Sequence, residues 1–169
     1  YNANSSGEMT IDSGVVNAGT TMYVGFQGNG TLSMNGGTLN VIGARFGIAR
    51  ESAASTGRVY LNGGVINCQD FTMATIPGST ALLDITQGKL VIAGDKTAAV
   101  NTFISNGWIT AYGGAGAVQC DYNVTHPSKT TVTAFMEAPI PGKASAPTPV
   151  DGATNVALNA VLSWSAGTG

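Results

Sequence analysis

Gly30-Thr31-Leu32-Ser33-Met34-Asn35-Gly36-Gly37-Thr38-Leu39 and Gly57-Arg58-Val59-Tyr60-Leu61-Asn62-Gly63-Gly64-Val65-Ile66 match position by position. Working outward, Gly7-Glu8-Met9-Thr10-Ile11-Asp12-Ser13-Gly14-Val15-Val16 is an earlier copy. Ala81-Leu82-Leu83-Asp84-Ile85-Thr86-Gln87-Gly88-Lys89-Leu90 is a later, degenerate one. The copies start about two dozen residues apart. Self-similarity at such a period marks a repeat architecture, in which no unit has a core of its own and each buries its apolar face on the next.

Within a unit, apolar residues alternate with polar ones on both sides of a glycine corner. Period-two alternation over so few residues predicts strands with one buried face. Gly14, Gly37, Gly64 and Gly88 supply the corner, because glycine enters positive φ at no side-chain cost. A second alternating stretch follows each corner: Met22-Tyr23-Val24, Phe46-Gly47-Ile48 and Phe71-Thr72-Met73. Asp12, Asn35 and Asn62 share one repeat position, and Asn17, Asn40 and Asn67 share another, which favours side-chain amide ladders between stacked rungs. A sandwich or barrel of short strands is the competing arrangement, but it has no reason to repeat glycine and asparagine at a common spacing. The pattern predicts an all-β chain: a parallel β-helix (β-solenoid) of about four to five coils with a C-terminal extended strand.

Residues 30–41 and 57–68, and more weakly about 7–95, resemble the Gly-rich repeats of bacterial autotransporter-type passenger domains and related β-helical surface proteins, G-x-L-x-[LMV]-x-G-G-x-[LVI]-x-[VC]. The resemblance implies a right-handed parallel β-helix, an extracellular setting, and an adhesive or scaffolding role.

Composition agrees with folding outside a charged cytosolic background. Charged residues are 9% of 169, hydrophobic ones 43%, and the formal net charge is −2, whereas disorder needs low hydrophobicity with high net charge. A near-neutral chain lacks the basic footprint of a nucleic-acid binder or of an anionic membrane surface, and no apolar run reaches the ~18 residues of a spanning helix. Few charges with many Thr, Asn and Gly predict an extracellular or cell-surface β protein. Opening at Tyr1 without Met or a signal-like stretch, it reads as a mature or trimmed product.

Beyond about residue 96 the repeat fades. Ala98–Ile104 reads as one helical turn or a strand, and the stretches to residue 137 as the last coils and a cap, since a solenoid end exposes strand edges and apolar side chains. Four of six prolines fall within 139–149, so 138–152 reads as an extended Pro-rich linker. In 153–169, the residues Val156, Leu158, Ala160, Leu162 and Trp164 share one parity, which predicts a one-sided strand. With Pro147-Thr148-Pro149-Val150-Asp151-Gly152-Ala153 this segment resembles the opening of a fibronectin-type-III or immunoglobulin-like domain. Two readings stand: the start of a truncated domain, or a strand donated to the edge of an identical subunit, which would build a head-to-tail filament.

The sequence carries no convincing catalytic constellation, metal-ligand spacing or cofactor fingerprint. Asp70 and Asp95 lie near corners of successive units and read as a carboxylate or calcium pair, or as solvated turn residues; Asp84 is outward by parity, one rung from Tyr60. His126, the sole histidine, is expected in an exposed loop, without a G-x-S-x-G elbow to complete a triad. Gly113-Gly114-Ala115-Gly116 lacks the Lys-Ser/Thr of a phosphate loop and reads as a tight turn. Cys68 and Cys120 read as free core thiols, about two rungs apart, unless an irregular cap brings them together. Asn4, Asn29 and Asn123 stand in Asn-x-Ser/Thr triplets, and Ser145 and Thr148 are candidate O-linked acceptors. The aromatics Tyr23, Tyr60, Tyr112 and Trp108 read first as cross-strand or rung packing; Tyr60, outward by parity, leads them as a carbohydrate-stacking candidate, so identical subunits are the expected partner and glycans the alternative.

Overall fold

The computed structural model describes residues 5–50, 52–74, 76–137 and 142–167, and the chain divides into two compact units, Tyr1–Met136 and Glu137–Gly169. The first is the solenoid. Its first rung holds β1 (Ser6–Ile11), β2 (Val15–Ala18) and β3 (Met22–Val24). The second holds β4 (Asn29–Met34), β5 (Thr38–Val41) and β6 (Phe46–Ile48), and the third β7 (Thr56–Leu61), β8 (Val65–Cys68) and β9 (Phe71–Met73). The fourth begins with β10 (Thr80–Ile85) and β11 (Lys89–Ala93). Equivalent strands pair in parallel along three faces, β1-β4-β7-β10, β2-β5-β8-β11 and β3-β6-β9. Gly7 pairs with Gly30, Gly30 with Gly57 and Gly57 with Ala81, so the sequence alignment is also the ladder register.

Register converts the repeat into a core. Leu32, Val59 and Leu83 form one buried column, Leu39, Ile66 and Leu90 a second, and Phe46 with Phe71 a third. The Phe46 and Phe71 rings stack with centroids 5.9 Å apart. At the corners, Gly37 (φ 72°) lies under Gly64 (φ 75°); a Cβ on Gly64 would come 2.7 Å from the carbonyl carbon of Gly36. Gly88 differs from the other corner glycines. It adopts no positive φ, and its lack of a side chain instead makes room for Leu61, whose side chain occupies the space a Cβ would need.

The parallel winding comprises about four turns. In place of a third strand, the fourth turn carries α1 (Thr97–Ser105), which settles the ambiguous 98–104 stretch as helix. Val100, Phe103 and Ile104 have the i, i+3, i+4 spacing of one helical face; Val100 is fully buried and the other two pack on the core. Phe103 meets Phe71 edge-on and stacks on Trp108, each at 5.9 Å. β12 (Ile109–Ala111) adds one more parallel strand to β10. The chain then reverses: β13 (Ala117–Tyr122) and β14 (Lys129–Phe135) form an antiparallel hairpin, with β14 antiparallel to β11. Helix and hairpin close this end.

In the second unit, β15 (Ser145–Thr148) pairs antiparallel with β16 (Ser163–Ser165) through Ser145–Ser165 and Thr148–Ser163. This corrects two expectations. Part of the Pro-rich stretch is not a free linker, since Ser145–Thr148 pairs as β15, and the continuous strand over Val156–Trp164 shrinks to Ser163–Ser165. Ala160 donates its N–H to the Ala157 carbonyl (3.0 Å), turning the chain within the anticipated strand. A one-sided strand persists only where another sheet accepts its ladder and its apolar face, and the short β15 offers too little of either.

Candidate functional site

The asparagine columns are hydrogen-bonded ladders on the outer surface. Asn35 Nδ2 donates to Asp12 Oδ1 (2.7 Å) and Asn62 Nδ2 to Asn35 Oδ1 (3.0 Å). Asn40 Nδ2 donates to Asn17 Oδ1 (2.8 Å) and Asn67 Nδ2 to Asn40 Oδ1 (2.9 Å). Every amide donates toward the first rung, so the ladders have a direction as well as a period.

The acidic residues are held separately, each by its own partners. Asp70 bridges Arg45 (3.2 Å) and Lys96 (3.1 Å), tying the second and third turns to the residue before α1. Burial alone would raise the Asp70 carboxyl, but the Lys96 and Arg45 hydrogen bonds outweigh it and hold the group below the ordinary range. Asp95 accepts from the Thr97 hydroxyl (2.7 Å) and N–H (3.0 Å), which hold its carboxyl low. Asp70 and Asp95 therefore serve as ion-pair and turn residues. Asp84 projects from the outer face as its parity requires, in register with Tyr60 and Thr110, yet is 8% exposed. The turn at Tyr112–Gly114 covers it: Thr110 Oγ1 (2.7 Å) and Gly113 N–H (2.9 Å) both donate to its carboxylate.

His126 itself lies half-buried, its Nδ1 3.0 Å from the hydroxyl of buried Thr131, in a loop whose other residues, 123–125 and 127–128, are exposed as expected. Cys68 and Cys120 are free thiols. Sheet order puts β11 and β14 between their strands, and three spacings of about 4.8 Å exceed what a disulfide spans. Burial, then the Asp70 charge, pushes the Cys68 thiol up to about 12; burial, then Asp121, pushes Cys120 up to about 11.

Tyr60 stands half-exposed between Ser33 and Asp84. Tyr23 and Trp108 are engaged. The Tyr23 ring lies 5.5 Å under the Arg50 guanidinium and its hydroxyl accepts from Arg50 (2.9 Å), while Trp108 packs on Phe103. Asn29, Asn123, Ser145 and Thr148 are exposed; Asn4 lies outside the described residues. The Thr125 hydroxyl of the Asn123 triplet is tied to Asp121 (2.7 Å).

Two surfaces lack partners among the described residues. The first is the rim of the opening rung, where β1, β2 and β3 are all edge strands. Asn29 N–H donates to Ser5 O and Asn35 N–H to Ile11 O, so the odd-numbered backbone groups of β1 face β4. The N–H and C=O groups of Ser6, Glu8 and Thr10 consequently face outward, as edge-strand groups open to another strand. Beside this edge a groove of about 430 Å³ opens between β1 and β3, floored by Met9, Met22, Val24 and Leu32 with Phe26 at its side. Sequence reading passed over this groove, although aligning Met9 with Leu32 and Met22 with Phe46 in the repeat already puts both methionines in core columns.

The second surface is the tail. Val156, Leu158, Ala160, Leu162 and Trp164 are all exposed; Leu158 is fully so and Trp164 is 66% exposed. Val150 and Val161 are exposed as well. A bare Trp preceded by two exposed leucines, Leu158 and Leu162, is the kind of apolar surface that marks an interaction site. Against known proteins, the chain matches no family model, no curated protein and no solved structure.

Proposed function

We propose that the protein is a structural β-solenoid of the cell surface or extracellular space that joins copies of itself head to tail, the segment 153–166 of one copy adding a strand to the next. One observation carries this reading: five same-parity residues, Val156 through Trp164, stand in solvent without a sheet to cover them, in a chain whose described solenoid leaves one rim of strand edges open. Strand addition serves both needs at once, with main-chain hydrogen bonds supplying affinity and alternate side chains supplying specificity. A tail-to-rim contact is heterologous and does not close, so it propagates into a filament. The low charge and the Asn- and Thr-rich surface support the extracellular setting.

Deletion of residues 144–169 tests the reading by electron microscopy and sedimentation. Filaments from the whole chain and monomers from the shortened one are the expected pair; filaments from both would refute strand donation. Half-exposed Tyr60, beside Asp84 on the outer face, favours a second reading, carbohydrate binding by a module of a larger surface protein. Glycan-array binding lost in Tyr60→Ala supports it, and a blank array removes it.

A further inference from the structure

The self-association proposed above leaves open where the donated segment lands, and the following rests on that reading. We infer that the receiving site is the open edge of β1 together with the groove of about 430 Å³ beside it, and that Trp164 of a second copy anchors in that groove. Three features converge there.

The first is ladder parity. The edge offers the backbone groups of Ser6, Glu8 and Thr10, while the neighbouring odd positions Met9 and Ile11 turn inward to the core. A strand laid along this edge alternates the same way. Val156, Leu158, Ala160, Leu162 and Trp164 then face the mouth of the core, and Ala157, Asn159, Val161 and Ser163 face solvent beside Ser6, Glu8 and Thr10.

Second, the groove has the size and lining for an aromatic anchor. Its volume lies in the range of pockets that enclose small ligands, its floor is Met9, Met22, Val24 and Leu32, and a Trp side chain brings roughly 150–250 Å² of surface to bury. Methionine adapts to an irregular occupant and makes favourable sulfur–aromatic contacts.

Third, charge selects the occupant. Glu8 is exposed in the middle of the edge, so two β1 edges pairing antiparallel about Glu8 would set like charges opposite one another, a destabilising arrangement. Residues 153–166 carry no charge at all and meet no such penalty. The donor must first leave β15, but the ladder there is two residue pairs long, and an isolated two-stranded pairing is marginal in water.

Complementation between two variants tests the assignment. Trp164→Ser removes the anchor and keeps the receiving edge. Glu8→Pro removes an outward N–H and keeps the tail; an edge strand tolerates proline at a position whose N–H faces away from its neighbour, so the fold survives. Sedimentation should show filaments for the unaltered chain, monomers for each variant alone, and a species of doubled mass for their equimolar mixture, since only one competent junction forms per pair. That rescue also shows both variants to be folded. Filaments from Glu8→Pro alone, or a mixture that stays monomeric, would overturn the β1 site while leaving self-association standing. An unaltered chain that stays monomeric would overturn self-association itself, and the site with it.

Discussion

Gly14 and Gly64 carry the same corner conformation in unequal surroundings, and substitution separates them. Gly14 (φ 80°) and Gly64 (φ 75°) both lie in the left-handed region, which costs an ordinary residue roughly 1–2 kcal/mol. At Gly14 an added Cβ meets nothing within 4 Å, whereas at Gly64 it runs into the Gly36–Gly37 backbone of the rung below. Gly14→Ala should therefore lose about 1 kcal/mol in urea unfolding, and Gly64→Ala at least twice that, because the stacked backbones must also move apart. Equal losses would mean that the rungs do not press together at this corner. The thiols offer a second residue-scale check. Thiolate is the reactive form, and burial holds Cys68 near 12 and Cys120 near 11. Neither should react appreciably with a thiol reagent at pH 8 in the folded chain, and both should react, with no disulfide to reduce first, once denaturant is added.

At the level of elements, the strands were legible because their pattern is written several times over. Each of Met22–Val24, Phe46–Ile48 and Phe71–Met73 is weak alone, but their recurrence after each glycine corner identified all three as strands, β3, β6 and β9. The helix was not legible: α1 occupies the place of a third-face strand, and its face consists of only Val100, Phe103 and Ile104, too few for a period to emerge. The tail failed for the opposite reason. Its alternation over Val156–Trp164 is clean, but alternation records a preference for a sheet and cannot supply one. For Asp84, parity gave the correct side of the strand but not what later chain covers it: the turn over it comes from residues 112–114. The Asp70 bridge joins three such elements and makes a pH prediction. Its carboxyl is depressed in the fold, so its stabilisation is complete above the unfolded value of about 3.9 and drains as pH falls through the lower folded value. With side chains about one-third exposed, the bridge contributes about 1 kcal/mol at most. Asp70→Asn should melt a few degrees below the parent at pH 6, and the two melting curves should converge near pH 2.

For the whole molecule, the consequence of stacking is that stability is local to neighbouring rungs and unequal at the two ends. The C-terminal end is closed by α1 and the β13–β14 hairpin, which bury Val100 and Val132 completely. The opening rung has a neighbour on one side only among the described residues, and Met9, Val16, Ala18 and Met22 stay partly exposed there, whereas their equivalents Leu32, Leu39, Val41 and Phe46 are fully covered. Among the described residues, all the buried apolar ones belong to the first unit, and none to residues 142–167. Two results follow for hydrogen exchange on the isolated monomer. Amides of β15 and β16 should exchange almost at once, because no core is lost when they open. Within the solenoid, protection should climb from β1 to β7 and stay high through β11, since opening the first rung uncovers little while opening the third uncovers Val59, Leu61, Ile66 and Phe71 together. Uniform protection along the coil would mean that the rungs open as one unit, and that the rim is no weaker than the core beneath it. A gradient confined to the first rung would instead mark the end of the solenoid that has most to gain from a partner.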